Sequence, residues 1–303
     1  MPIGDLVVGH GGRARCGALG LTRGRIIYYQ YTNGSALTCF DHLRRKKTTS
    51  LGSPQIQFPI SAPGKNHMSS TPRPPLSPDA VFFLPAPHFA DEPPGPKLYF
   101  FKGSKFASWD VLSEQLCPGY PRDISAHFPG FMESTRGGRL RAALQVPQWG
   151  RQVFFMFDDG RDLLTWDLEL GQVVPETRTI DELLPGIFTS DPVTPVYAEL
   201  PDKQGVIYAF NGKEFMRWTV LPGGVAKADA GYPRKSADDW KDGLVLAPRC
   251  GVYLEWPNRS SAHSNRKIYF FMGDLYLRWD VPSHTRNYRL DIVAGWKGWP
   301  SFD

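Results

Sequence analysis

Two glutamates stand at the same place in two similar stretches of the sequence. "PVYAELP" (195–201) carries Glu199 and "GVYLEWP" (251–257) carries Glu255, each two residues after a tyrosine, Tyr197 or Tyr253. Two carboxylates brought together in an enclosed space raise one of their pKa values or recruit a cation. With Tyr197, Tyr253 and Trp256 nearby they would hold a polyamine or similar amine by charge and cation–π contact. The same pair would serve equally as a general acid and a general base. The plain alternative is that each carboxylate faces a backbone amide or solvent. Other chemistry is thinner. Cys16, Cys39, Cys117 and Cys250 match no CxxC metal spacing and are too few for a disulfide scaffold. His88, His127, His263 and His284 do not pair at metal-ligand spacing. The chain contains no Gly-rich phosphate loop, no GxSxG elbow and no HExxH.

The elements that must position these residues are repeated. Four short apolar strands each stop at a proline: "DAVFFLP" (79–85), "RAALQVP" (141–147) and the two stretches above. Proline cannot donate to a ladder and so ends it. A second strand follows in each case, "KLYFF" (97–101), "QVFFMF" (152–157), "VIYAF" (206–210) and "KIYFF" (267–271). Next comes a turn with Gly103, Gly160, Gly212 or Gly273, then a third strand ending in Trp109, Trp166, Trp218 or Trp279. A short helical tail closes each unit: "RDISAHFPG" (122–130), "TIDELLPGI" (179–187), "RKSADDWKDG" (234–243) and "RLDIVAGWKG" (289–298). A period of 50–60 residues with several strands per unit marks a β array. Second strands apolar on both faces must be covered on both sides. Four blades around an axis achieve this and leave only short edges. The tryptophans then fill the wedges between blades.

Composition agrees with a β-rich globular protein. Of 303 residues, 41% are hydrophobic and 13% aromatic, with 30 Gly and 28 Pro for turns. The formal charge of +5 is uneven. Residues 1–77 hold ten Lys/Arg against two Asp/Glu, whereas the remainder holds 25 against 28. The near-neutral folded part argues against a nucleic-acid face on it. The segment 1–77 has no Trp, is rich in Gly, Ser, Thr and Pro, and is expected to be a basic, disordered tail ending in a linker. Within it "RIIYYQY" (25–31) would form a stray strand, and "LRRKK" (43–47) would suit nuclear localisation or a polyanion. No secretory h-region and no membrane-spanning run is visible. The sequence therefore points to a cytoplasmic, reducing location, with unpaired cysteines and its two glycosylation sequons read as chance.

The repeats resemble hemopexin repeats. The match is carried by Asp79-Ala80-Val81-Phe82, by Tyr99 to Gly103 continuing to Trp109-Asp110, by "GYPRDISAHFPG" (119–130), by "IYFFMGDLYLRWD" (268–280) and by "GYPRK" (231–235). The resemblance covers about 78–303 and implies an all-β fold, a four-bladed β-propeller with a central tunnel. Its blades would run roughly over 78–138, 139–191, 192–246 and 247–303. No cysteine sits where secreted members place the disulfide joining first and last blades. The chain thus resembles the intracellular plant, fungal or bacterial members more.

The resemblance also implies where ligands sit. First strands line the tunnel in this family, so the aligned segments become rings: Asp79, Arg141, Pro195 and Gly251; Val81, Ala143, Tyr197 and Tyr253; Phe83, Gln145, Glu199 and Glu255. Alternating side chains put these on one side. In the family, backbone carbonyls at the strand starts hold a tunnel cation. Here those of Asp79, Arg141, Pro195 and Gly251 would hold calcium or sodium. Arg141 competes with that expectation, because its guanidinium would pair with Asp79 and replace the ion. Haem, claimed for some relatives, would need an axial histidine, with His263 the candidate. The leading expectation is a small-molecule-binding protein using Glu199, Glu255, Tyr197, Tyr253, Arg141 and Asp79. The alternatives are a cyclisation or cycloaddition enzyme with Glu199, Glu255 or Asp79 as acid/base, and a protein-interaction module.

Overall fold

A computed structural model describes residues 75–134, 138–158, 162–176, 178–188, 193–240, 248–256, 265–281 and 285–302, together with three strands nearer the N-terminus. The chain divides into two units, Met1–Ser69 and Ser70–Asp303. In the first, β1 (Gly20–Thr22), β2 (Arg25–Thr32) and β3 (Ala36–Asp41) form an antiparallel meander. "RIIYYQY" falls in β2. The expectation of a disordered tail, and the "LRRKK" run within it, otherwise lie outside the described residues.

In the second unit the apolar segments pair into four antiparallel sheets, each starting with a segment that stops at or near proline. Blade one is β4 (Ala80–Leu84), β5 (Lys97–Lys102), β6 (Lys105–Asp110) and β7 (Gln115–Leu116), with β8 (Arg122–Asp123) returning to β6. Blade two is β9 (Leu140–Gln145), β10 (Gln152–Phe157), β11 (Asp162–Asp167) and β12 (Gln172–Val173), with β13 (Arg178–Thr179) on β11. Blade three is β14 (Thr194–Glu199), β15 (Gly205–Phe210), β16 (Glu214–Leu221) and β17 (Val225–Ala228), with β18 (Arg234–Lys235) on β16. Blade four is β19 (Cys250–Glu255), β20 (Arg266–Met272), β21 (Leu275–Asp280) and β22 (Thr285–Asp291). The first strands touch in the order β4, β9, β14, β19 and back to β4, which closes a four-bladed propeller. Gly103 and Gly273 supply the left-handed turns, at φ 56° and 58°, that β-branched or bulky residues resist. Among the described residues no helix is long and apolar enough to cross a membrane.

One-turn helices set the angle between blades. They are α1 (Ile124–His127), α2 (Phe131–Ser134), α3 (Ile180–Leu183), α4 (Ser236–Asp239) and α5 (Ile292–Gly295). After α1, α3, α4 and α5 come Phe128, Leu184, Trp240 and Trp296, each donating its amide to the first carbonyl of its helix. From there each tail meets the tryptophan of the next blade. Phe128 lies 4.9 Å from Trp166, Trp240 4.8 Å from Trp279, and Trp296 4.7 Å from Trp109. Trp218 Nε1 donates to Pro185 O at 3.0 Å. All four strand-end tryptophans are buried, as the wedge reading requires.

Strand pairing fixes which residues share a level. Leu98, Val153, Ile207 and Ile268 each face their own blade's tryptophan and are therefore equivalent. Their partners on the first strands are Phe83, Gln145, Tyr197 and Tyr253, which form one ring. The next ring toward the strand starts is Val81, Ala143, Pro195 and Gly251. Aligning on proline is thus wrong by two residues between the first two blades and the last two. The cause is that β14 and β19 extend further before their prolines than β4 and β9 do. An offset of two preserves the side of the strand, since side chains alternate, but changes the level.

Candidate functional site

Glu199 and Glu255 sit at the far ends of β14 and β19, one level beyond the Phe83–Gln145–Tyr197–Tyr253 ring. These six residues are among those that line a cavity of about 170 Å³ inside the ring of first strands. The carboxylates converge, and what they converge on is Arg266. Arg266 Nη2 lies 3.3 Å from Glu199 Oε1, and its Nε lies 3.6 Å from Glu255 Oε1. Arg266 Nη1 donates to Leu200 O at 3.0 Å. Lys203 Nζ reaches Glu199 Oε1 at 3.0 Å, and Asn265 Nδ2 donates to Glu255 Oε1 at 3.2 Å. Arg266 is directly across from Glu255 in the β19–β20 ladder. Sequence reasoning missed it, because the long connection from 256 to 265 hides the register that makes the two neighbours.

The tyrosines behave differently from one another. Tyr197 accepts from Gln148 Nε2 at 2.8 Å and meets Tyr253 edge-on, with ring centroids 6.0 Å apart. The Tyr253 hydroxyl is buried without a hydrogen-bond partner among the described residues. Burial pushes the phenol pKa of both residues up, with the nearby Glu255 carboxylate adding to the rise at Tyr253. Trp256 does not join them. Its Nε1 donates to Tyr269 OH at 2.9 Å inside blade four.

At the opposite end the expected Asp79–Arg141 pair is not formed. Asp79 is buried; its Oδ2 accepts from Gly103 N at 2.9 Å, and its Oδ1 accepts from Arg139 Nη2 at 3.1 Å and from Arg249 Nη2. Arg141 turns instead to Asp158, 3.6 Å away, which hydrogen-bonds with the start of β9 and so lies closer. Nor do the four carbonyls assigned to a tunnel ion share a level. Pro195 and Gly251 lie one ring deeper than Asp79 and Arg141, and the residues level with Asp79 include Arg249. Arg139, Arg249 and Lys102 gather round the single Asp79 carboxylate. Such surroundings oppose calcium or sodium, so the residues present do not fit a cation there. Among the described residues no three His, Cys, Asp or Glu cluster to hold a metal.

His263 and His284 lie outside the described residues. His88 packs on Phe89 and Phe128, and His127 Nδ1 lies 3.1 Å from Asp123 O. Cys117 and Cys250 are buried and free, engaged with Ser108 Oγ and Pro78 O instead of with each other. Cys16 and Cys39 are outside the described residues.

Comparison with known proteins agrees with this architecture. A family model for hemopexin matches residues 91–133, within blade one. Structurally, the hemopexin fold protein CP4 from cow pea is similar, with 16% identity, TM-score 0.51, and 73% of this chain and 96% of that chain covered. A 2S albumin seed protein from Dolichos gives 15% identity and TM-score 0.51 over 73% and 96%. A plant albumin from Cicer arietinum showing hemagglutination gives 12% and 0.50 over 72% and 94%. No curated protein matches the sequence. The chain therefore matches the hemopexin family model within its first blade and folds as a four-bladed β-propeller like the hemopexin-fold protein.

Proposed function

We propose that the propeller is a binding protein that holds a small organic amine at the Glu199–Glu255 end of its tunnel. One observation carries this reading. Both carboxylates meet the protein's own cations through Oε1, which leaves each Oε2 available above a wall of Phe83, Tyr197 and Tyr253. An ammonium between them gains charge-assisted hydrogen bonds and aromatic faces, the latter worth about 0.5–2 kcal/mol. Size narrows the ligand. A cavity of about 170 Å³ is close to one that takes a single benzene-sized ring, roughly 150 Å³. Sites for drug-sized molecules run to about 300–1,000 Å³, which disfavours haem or the skeleton of a cyclisation substrate inside the tunnel. The structural relatives, seed albumins and a hemagglutinating albumin among them, are in keeping with a binding or scaffold role.

Calorimetric titration with benzylamine and putrescine tests it. The wild type is expected to bind at least one of them. The double variant Glu199→Gln with Glu255→Gln is expected to bind at least about tenfold more weakly, a loss of roughly 1.4 kcal/mol. A wild type blind to both amines, or a double variant of unchanged affinity, overturns the assignment.

A further inference from the structure

The other end of the first strands has a surplus of donors. Beside the start of β4 lies a cavity of about 570 Å³, lined by Lys102, Arg139, Asp79, Trp299, Phe302 and Val293 among others. It is more than three times the volume of the tunnel cavity and falls within the range usual for organic ligands. Among the described residues Asp79 is the one carboxylate in its lining, and that group is already taken by Gly103 N, Arg139 and Arg249. Lys102 spends two of its three ammonium protons on Pro75 O and Ser77 O. Arg139 keeps a side chain 60% exposed, and among the described residues its five donors meet Asp79 alone. One further donor in the cavity wall, Trp299 Nε1, is buried without an acceptor among the described residues. A buried donor without a partner is costly, and beside the spare donors of Arg139 and Lys102 it favours an acceptor bound in the cavity. The rest of the wall is aromatic and aliphatic, with Trp299 and Phe302 6.1 Å apart.

We propose that this cavity binds an organic oxyanion, a carboxylate or phosphate monoester carried on a ring-sized apolar body. The oxyanion sits between Arg139 and Lys102, where guanidinium geometry favours two parallel hydrogen bonds, and the ring lies along Trp299 and Phe302. Lys102 fits this role: its ammonium pKa is lowered, by burial first and by Arg249 and Arg139 against the opposing Asp79, and an anion beside it would offset all three lowering effects. The site is separate from the glutamate end, so its fate does not depend on the amine reading.

The test is calorimetry at low salt with four probes: phenyl phosphate, benzoate, inorganic phosphate and benzyl alcohol. At least one of the two aromatic anions binds, inorganic phosphate binds at least about tenfold more weakly, and benzyl alcohol does not bind. Preference for phenyl phosphate marks a phosphate ester as the ligand class, and preference for benzoate a carboxylate. Arg139→Gln, at an exposed position that keeps the fold, weakens the aromatic anion at least about tenfold. Trp299→Leu weakens it while leaving inorganic phosphate unchanged. The proposal falls if neither aromatic anion binds, if Arg139→Gln has no effect, or if inorganic phosphate binds as tightly as the aromatic anions.

Discussion

Arg266 does at the glutamate end what Arg249 and Arg139 do at the other: a guanidinium takes up carboxylates that the repeat brings together. The glutamates and the aspartate were legible in the sequence, because aligned segments announce equivalent positions. Their partners were not, because Arg266 and Arg249 come into range through strand pairing and ring closure. Two predictions belong at this scale. Burial lowers the His88 imidazole pKa, with Glu92 opposing and Arg151 adding to the effect. A group with a lowered folded pKa prefers its neutral form in the fold, so the unfolded chain binds the extra proton. Stability is then full above the ordinary histidine value of about 6.5 and falls as pH drops through it. Urea unfolding at about pH 7.5 and about pH 5.5 should show His88→Phe losing less stability on acidification than the wild type; equal losses contradict the sign. Cys117 and Cys250 have thiol pKa values raised by burial. Both should resist iodoacetamide in the native protein and react in urea, as peptide mass spectrometry would show.

At the scale of elements, a one-turn helix hands each blade to the next. Trp240 is 4% exposed and touches Trp279, Phe210 and Phe270. Trp240→Ala should therefore cost about 3–5 kcal/mol in denaturant unfolding. Leu170→Ala, at a side chain 66% exposed, should stay within about 0.5 kcal/mol. A small loss at Trp240 would mean that the wedges are not what fixes the blades. The strands themselves read cleanly from sequence, since proline, glycine and tryptophan punctuate each unit. Register did not. The prolines that ended the first strands looked equivalent, yet β14 and β19 run further before theirs, and only the ladders to β15 and β20 reveal it. That slip carried Pro195 and Gly251 into the wrong ring and with them the expected cation.

The second unit is a ring closed without a covalent bond between Cys117 and Cys250. Ser77 N donates to Gly273 O at 2.7 Å, Leu76 N to Asp274 Oδ1 at 2.8 Å, and Trp296 of the last tail packs on Trp109 of the first blade. In an open stack a terminal repeat melts early and separately. In a closed ring the last interface is equivalent to the others. Trp296→Ala should thus cost about as much as Trp240→Ala, roughly 3–5 kcal/mol, within a single unfolding transition. An early separate phase confined to blade four would show the ring to be open. The sequence by itself determined the number of blades, the strands within them and the tryptophan wedges, because each is written in short, local, repeated patterns of apolar and turn residues. Tertiary structure alone decided which level each first-strand residue occupies and which cation meets which carboxylate. The physical reason is that charge pairing acts over a few ångströms, and those distances are set by register and closure between residues far apart in the chain.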